Sequence, residues 1–195
     1  MSAPNPVRLI QPRRHRDARG WLEESYVDDR LRTLGIDTMF RQDNHSFSKA
    51  VLTLRGLHFQ TPPYQQDKLV RCVRGRIFDV AVDLRDGSPT YGHWVGAELS
   101  AENGRQLFIP SGFAHAFLTL EESVEVIYKV SGLYAPDHEG GIRWDDPTVA
   151  VDWPMPEGRP PVLAPRDETL PSLVGFDSPF PYDQRPLLPI EPENI

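Results

Sequence analysis

Six histidines are the side chains here that can take up and release protons near neutral pH. Two of them sit where a fold would hold them firmly. His58 lies in LRGLHFQ between Leu57 and Phe59, and His115 lies in IPSGFAHAF between Ala114 and Ala116. Apolar neighbours on both sides of His58 predict partial burial and one fixed orientation. Local sequence leaves two uses open for it: a core imidazole satisfied by a backbone carbonyl, or a general base. Tyr128, in VIYKVSGLYAP, belongs to a run in which Glu125, Ile127 and Lys129 alternate with Val126 and Tyr128. A phenol on a sheet face either packs or, beside an imidazole, donates a proton. Asp167, in APRDETLPSL, reads as an N-cap or surface acid that becomes chemical only by reaching a histidine. Arg19, Arg41, Arg55, Lys68, Arg71, Arg74 and Arg76, with Gln42 and Asn44 beside Arg41, are notable cations for a chain of formal net charge -7. They form either a solvated rim or a side-chain phosphate pocket, since no glycine-rich phosphate loop is present.

The elements that must position these groups read as strands. A chain of 195 residues suits one domain, and 39% apolar with 25% charged residues fits a globular protein rather than a disordered one. Twenty prolines and fourteen glycines argue against a helix bundle and for many short strands. VRLIQP (7–12) reads as a short strand after a frayed arm, and DDRLRTLGI (28–36) as the best short helix, stopped at Gly35. KLVRCVRGRIFDVAVDLR is two β-rich runs broken at Arg74-Gly75, a hairpin signal. In its second run Ile77, Asp79, Ala81 and Asp83 alternate with Phe78, Val80, Val82 and Leu84, which predicts one buried face and one free to carry function. Further strands follow in WVGAELS, RQLFIPSGFAHAFLTL and VEVIYKV. Strands at this spacing predict a mainly all-β fold, an antiparallel sandwich or jelly roll, with no helices for parallel crossovers. Eleven prolines lie from Pro154 onward, so residues 154–195 predict an irregular wrap over the core, loose only in the last dozen residues.

Composition narrows the partners. Net acidity gives no general attraction to nucleic acid or an anionic membrane, and no run of about 18 apolar residues could span a bilayer. The single Cys72 forbids an internal disulfide and a cysteine-based zinc cluster; with no apolar leader segment, a cytoplasmic protein is expected.

The Pro-x-Gly-x-x-His pattern around His115 resembles the second half of the cupin signature. The first half, a His-x-His pair with a glutamate, has only His58-Phe59-Gln60 to match it, so the jelly-roll signal stands and no metal is expected. A metal-dependent cupin enzyme remains the alternative that metal analysis would revive. Taken together, RDARGWLEE, RQDNHSFS, LRGLHFQTPPYQQDKLVRCVRGRIFDVAVDLRDGSPTYG, QLFIPSGFAHAF, VIYKVSGLYAPDHEGGIRWDDP and APRDETLPSL resemble the dTDP-4-dehydrorhamnose 3,5-epimerases over about Arg13 to Tyr182.

The resemblance implies a cupin-like antiparallel jelly roll over residues 1–195, with 1–50 as an N-terminal arm and strands serving a dimer, 50–153 as the core and 154–195 as the wrap. It implies a cofactor-independent epimerisation of dTDP-4-dehydro-6-deoxy-D-glucose at C3 and C5. His58 then matches the general base, Asp167 its orienting carboxylate and Tyr128 the general acid on the opposite face. Lys68 and Arg55 match cations near the sugar and its developing oxyanion. Arg19, Glu24, Gln42, Asn44, His115, Tyr134 and Arg166 match nucleotide and diphosphate contacts. It further implies a homodimer with N-terminal strand exchange, in which Arg19 and Glu24 serve the neighbour's ligand. Two residues depart from the family pattern: Leu22 stands where an aromatic is common, and Ala116, where glycine is usual, carries a methyl expected to narrow the pocket. Single-centre epimerases and ketoisomerases on related dTDP-sugars share this pattern, and a non-catalytic nucleotide-sugar-binding cupin is the alternative outside enzymes.

Overall fold

A computed structural model describes residues 5–195, so the first four residues of the expected arm lie outside it. The strands are β1 (Arg8–Gln11), β2 (Arg14–Asp17), β3 (Gly20–Glu23), β4 (Gln42–Ser48), β5 (Leu54–Gln60), β6 (Lys68–Arg74), β7 (Arg76–Asp83), β8 (Trp94–Ser100), β9 (Gln106–Ile109), β10 (Phe113–Thr119), β11 (Val124–Val130), β12 (Glu139–Gly141) and β13 (Pro192–Asn194). One helix, α1 (Asp28–Thr33), precedes β4, and short 3-10 turns cover Pro136–His138 and Asp167–Thr169. Helix α1 stops short of residue 36; Asp28 and Asp29 occupy its first turn and Arg30 and Arg32 its last, the arrangement a helix dipole favours.

Two sheets face each other as the expected jelly roll. One has six strands in the order β13-β1-β9-β6-β11-β4, and the other five in the order β12-β5-β10-β7-β8; β2 and β3 form a separate hairpin. Val70, Cys72, Ile77, Ala81, Leu107 and Phe117 fill part of the space between the sheets. Burial of Cys72 pushes its thiol up to about 11, which makes it an inert core group.

Arg74-Gly75 is not a hairpin. β6 is flanked by β9 and β11 in one sheet, and β7 by β10 and β8 in the other. Every edge of both strands is taken, so the turn carries the chain from sheet to sheet. Gly75 has φ +76°, and a Cβ there would stand 2.8 Å from Val124 Cγ2. The glycine marks a tight crossing, a need that local sequence cannot tell from a hairpin turn.

β7 also differs from expectation, because both of its faces are covered. Ile77 and Ala81 point into the core between the sheets, whereas Val80 and Val82 point outward into a second cluster. Leu173 and Phe180 of the proline-rich wrap, with Trp153 just before it, roof that cluster over Leu54, Leu57 and Phe59. Polar alternation survives only on the inward face, at Asp79 and Asp83, both fully buried.

The last dozen residues are not loose. Arg85 Nη1 donates to the Arg185 carbonyl at 2.9 Å, Leu187 is buried, and β13 adds to β1 as a parallel strand with Leu9 opposite Pro192. An ion pair from Arg8 to Glu193 fixes this strand. The prolines exclude a central strand but not an edge one.

Candidate active site

β5 and β10 run side by side with His58 opposite His115. A strict period of two would send Arg55 and His58 to opposite faces. Instead Arg55 pairs with Phe117, so three steps along β5 face two along β10. This bulge turns both side chains toward the space between the sheets. Gly56 makes it possible: its φ is +125°, and a Cβ would lie 2.5 Å from the His115 carbonyl oxygen and from Ala116 Cβ. Ala116 itself belongs to the outer cluster on the far side of β10, so its methyl does not narrow the cavity as expected.

His58 Nε2 lies 2.7 Å from Asp167 Oδ1, although 109 residues separate them. The wrap delivers Asp167. Leu54 N–H donates to the Val162 carbonyl at 3.0 Å and Val162 N–H to the Leu52 carbonyl at 2.8 Å, tethering the segment that leads into the 3-10 turn. Asp167 is 2% exposed, so it is neither a surface acid nor an N-cap. Burial alone would raise its pKa; hydrogen bonds from His58, the Gly56 N–H and Arg166 outweigh this and hold it below the ordinary carboxylate value. The His58 side chain keeps 23% exposure, open to a ligand.

A cavity of about 450 Å³ opens in front of this pair, and Arg55, His58, Lys68, His115 and Tyr128 line it, with Phe117, Leu163 and Ala164 as apolar walls. Tyr128 enters from β11 in the opposite sheet. Burial pushes its phenol up, the Arg55 charge pulls it down, and Glu139 pushes it up again. Lys68 crosses from β6 to bring Nζ 3.4 Å from the His58 carbonyl oxygen. Burial lowers the Lys68 pKa to about 8, against the pull of Asp79 and Glu139. His115 Nε2 lies 2.7 Å from Asp79 Oδ1, and burial lowers the imidazole despite that carboxylate. Asp79 Oδ2 is buried with no hydrogen-bond partner. At the rim, Arg166 clasps Glu139 through two bonds of 2.6 and 2.7 Å, which holds Glu139 below its ordinary value.

Of the expected site residues, His58, Asp167, Tyr128, Lys68, Arg55, His115 and Arg166 converge on this cavity. Arg19 and Glu24 do not. Arg19 stands on the exposed β2–β3 turn paired with Asp17, and Glu24 pairs with Arg30. Gln42 and Asn44 lie outside the lining, bonded to each other at 2.8 Å on β4, with Asn44 opposite Tyr128. Tyr134 is exposed and donates to Glu139 at 2.9 Å. Among the other basic residues, Arg71 approaches Glu23, Arg74 approaches Glu125, and Arg76 reaches Glu98 and Glu121. Those three pair on surfaces away from the cavity, and only Arg55 and Lys68 of the basic group reach it. Sequence reasoning missed Asp79 and Glu139. Asp79 was visible in the alternation of β7, but its meeting with His115 depends on strand register; Glu139 carried no local signal. Among the described residues, no group of three or more His, Cys, Asp and Glu side chains is arranged to hold a metal ion, and no helix is long and apolar enough to cross a membrane.

The model for dTDP-4-dehydrorhamnose 3,5-epimerase matches residues 4–174. The chain belongs to this family. A dTDP-4-dehydrorhamnose 3,5-epimerase from Sinorhizobium fredii is 48% identical over 176 residues, covering 90% of this chain and 89% of its own. The crystal structure of the Bacillus anthracis family member, with TDP and PPi bound, superposes with a TM-score of 0.83 at 46% identity, covering 86% of this chain and 94% of that one. A Legionella pneumophila family member in complex with dTDP-4-keto-L-rhamnose gives 0.83 at 40% identity over 95% and 97%.

Proposed function

We propose that this chain epimerises dTDP-4-dehydro-6-deoxy-D-glucose at C3 and C5, giving dTDP-4-dehydro-L-rhamnose. The observation that carries the reading is the pairing of His58 with Asp167 on one wall of a cavity whose opposite wall presents Tyr128. Both carbons flank the C4 ketone, so loss of either proton leaves an enolate spread onto the ketone oxygen. His58 takes the proton; Asp167 orients the ring and balances the imidazolium. Lys68 and Arg55 face the oxygen where charge develops. Tyr128 returns a proton from the other side, and the centre inverts. Arg166 and Tyr134, with Gln42 and Asn44, serve the nucleotide diphosphate end. The chain's own residues supply the whole acid–base cycle.

The test is solvent labelling. Protein incubated with this substrate in heavy water incorporates deuterium at C3 and C5, and product analysis by NMR shows both centres inverted. Folded protein that binds substrate but leaves both carbons unlabelled overturns the reading.

The functional unit in this proposal is a homodimer in a cytoplasmic setting. Support comes from the β2–β3 hairpin, which holds Arg19 and Glu24 outside its own cavity and exposes Trp21 and Leu22, with Met39 and Phe47 also exposed. In the dimer, Arg19 and Glu24 complete the neighbour's site, and the N-terminal strands exchange. Leu22 then meets the base end with Trp21 beside it. Mixing inactive Arg19→Ala and His58→Ala chains restores activity, because one site of each heterodimer is intact; no recovery after subunit mixing sinks the exchange.

A further inference from the structure

Asp167 reaches His58 from a loop tied down at both ends. At the upstream end Val162 exchanges backbone hydrogen bonds with Leu52 and with Leu54 at the start of β5. At the downstream end two ties come from the segment that follows β12. Arg143 N–H donates to the Pro171 carbonyl at 2.8 Å. Asp146 grips the next two residues: its Oδ2 accepts from Ser172 Oγ at 2.6 Å and from the Leu173 N–H at 2.8 Å. Its Oδ1 serves its own turn, accepting from the Thr148 and Val149 N–H groups at 2.8 and 3.1 Å. Asp146 is 1% exposed and does not line the cavity. Burial alone would raise its pKa; these bonds hold it below the ordinary carboxylate value, so a charged group makes the grip.

The downstream ties are in register with His58. Gly141 of β12 stands opposite His58 on β5, and Leu57 and Ile142 exchange backbone bonds of 3.0 and 3.3 Å. A Cβ on Gly141 would lie 2.8 Å from Leu170 Cδ2, so Leu170, just past the turn that carries Asp167, packs directly on that strand. Residues 139–146 thus pair with the histidine strand at one end and hold the carboxylate loop at the other. A loop free of these ties would sample many positions, and a misplacement of about 1 Å can cost ~10²-fold in rate.

We propose that Asp146 is a positioning residue: through Ser172 and Leu173 it fixes the loop so that Asp167 meets the His58 imidazole in one place. This rests on the reading of His58 as the base and Asp167 as its orienting carboxylate.

The test is a double-mutant cycle on deuterium exchange at saturating substrate, with kcat referred to folded protein. Asp146→Asn leaves an oxygen for Thr148 and Val149 but sets an amide donor against the Leu173 N–H. It lowers kcat about ten- to hundredfold, and its crystal structure shows the His58–Asp167 contact lengthened past about 3.5 Å. Ser172→Ala removes one bond at a partly exposed position and lowers kcat about two- to fivefold. Ser172→Thr keeps the hydroxyl and restores the rate. In an Asp167→Asn background neither Asp146→Asn nor Ser172→Ala costs more than about a further twofold, because the group they position is already gone. A general loss of packing would multiply through instead. Where Asp146→Asn folds poorly, the two Ser172 variants decide. Undiminished losses in the Asp167→Asn background, an unchanged kcat in folded Ser172→Ala, or a loss that Ser172→Thr does not rescue overturns the proposal. Failure of the underlying reading shows separately, as near-wild-type exchange by Asp167→Asn alone.

Discussion

The molecule holds two histidine–carboxylate pairs on neighbouring strands, with the same 2.7 Å contact and different surroundings. His58–Asp167 stands at the mouth, its imidazole partly open and its carboxylate served by His58, Gly56 and Arg166. His115–Asp79 lies behind it, buried, with one carboxylate oxygen unpartnered. The first can exchange a proton with a ligand, and its carboxylate comes from a distant segment that only the finished fold brings near. The second has both members on adjacent strands of the sheet itself, and burial disfavours the charged imidazole. Chemical identity does not set the role; access and the satisfaction of the carboxylate do.

The strongest way to break this comparison is to remove the exposed imidazole. His58→Ala should reduce deuterium incorporation at C3 and C5 to background, a loss on the order of 10²–10⁴-fold or more for a general base. Retention of near-wild-type exchange would pass the role of base to another group. Lys68→Met comes next. Loss of a preorganised cation at the developing oxyanion costs about 10²–10³ in kcat. The same substitution should stabilise the fold. Lys68 is buried and its pKa sits at about 8, so keeping it charged at neutral pH costs roughly 3 kcal/mol relative to the unfolded chain. Wild-type protein should gain stability as pH rises from about 8 toward the ordinary lysine value, and Lys68→Met should lack that gain. Denaturant unfolding across that range checks it.

A third substitution set compares the pairs directly. Asp167→Asn should lower kcat by about 10²-fold or more, because an amide neither fixes the tautomer nor balances the imidazolium. Asp79→Asn replaces the buried carboxylate that holds His115 with a neutral amide, so it should cost about 1–3 kcal/mol of stability with a smaller loss of rate. It should also lower the alkaline limit of kcat/KM, since Asp79 helps keep Lys68 charged. Equal losses of rate from the two asparagines would erase the distinction between the pairs.

The contrast also explains what could be read from residue order. Strands around His115 and Tyr128 were legible from alternation and from glycine and proline punctuation. Asp167 looked like an ordinary turn acid, and only resemblance tied it to His58. Local sequence gives no register across 109 residues. The bulge at Gly56 was invisible for the same reason: the contact with Ala116 that reserves the position for glycine exists only after β5 meets β10. Arg74-Gly75 shows the converse, a strong local signal overruled because both strand edges were already occupied. The tail looked loose because proline excludes interior strands, yet the open edge of β1 accepts Pro192.

The smallest expected effect concerns acid. Hydrogen bonds hold Asp167 below the ordinary carboxylate value in the folded protein, whereas the unfolded chain has no such partners. The unfolded state therefore binds the proton first as pH falls, and stability drains away as the pH drops from the ordinary carboxylate value through the folded one. Asp167→Asn has no charge to lose there, so its stability should fall less steeply with acidification than wild type. Urea unfolding at steps below pH ~4 reads the difference in slope. The buried pair answers from the other end of the scale, through Lys68 above about pH 8. Identical acid slopes for wild type and Asp167→Asn would mean that the carboxylate at the mouth is not held by its partners, and that the two pairs differ in exposure alone.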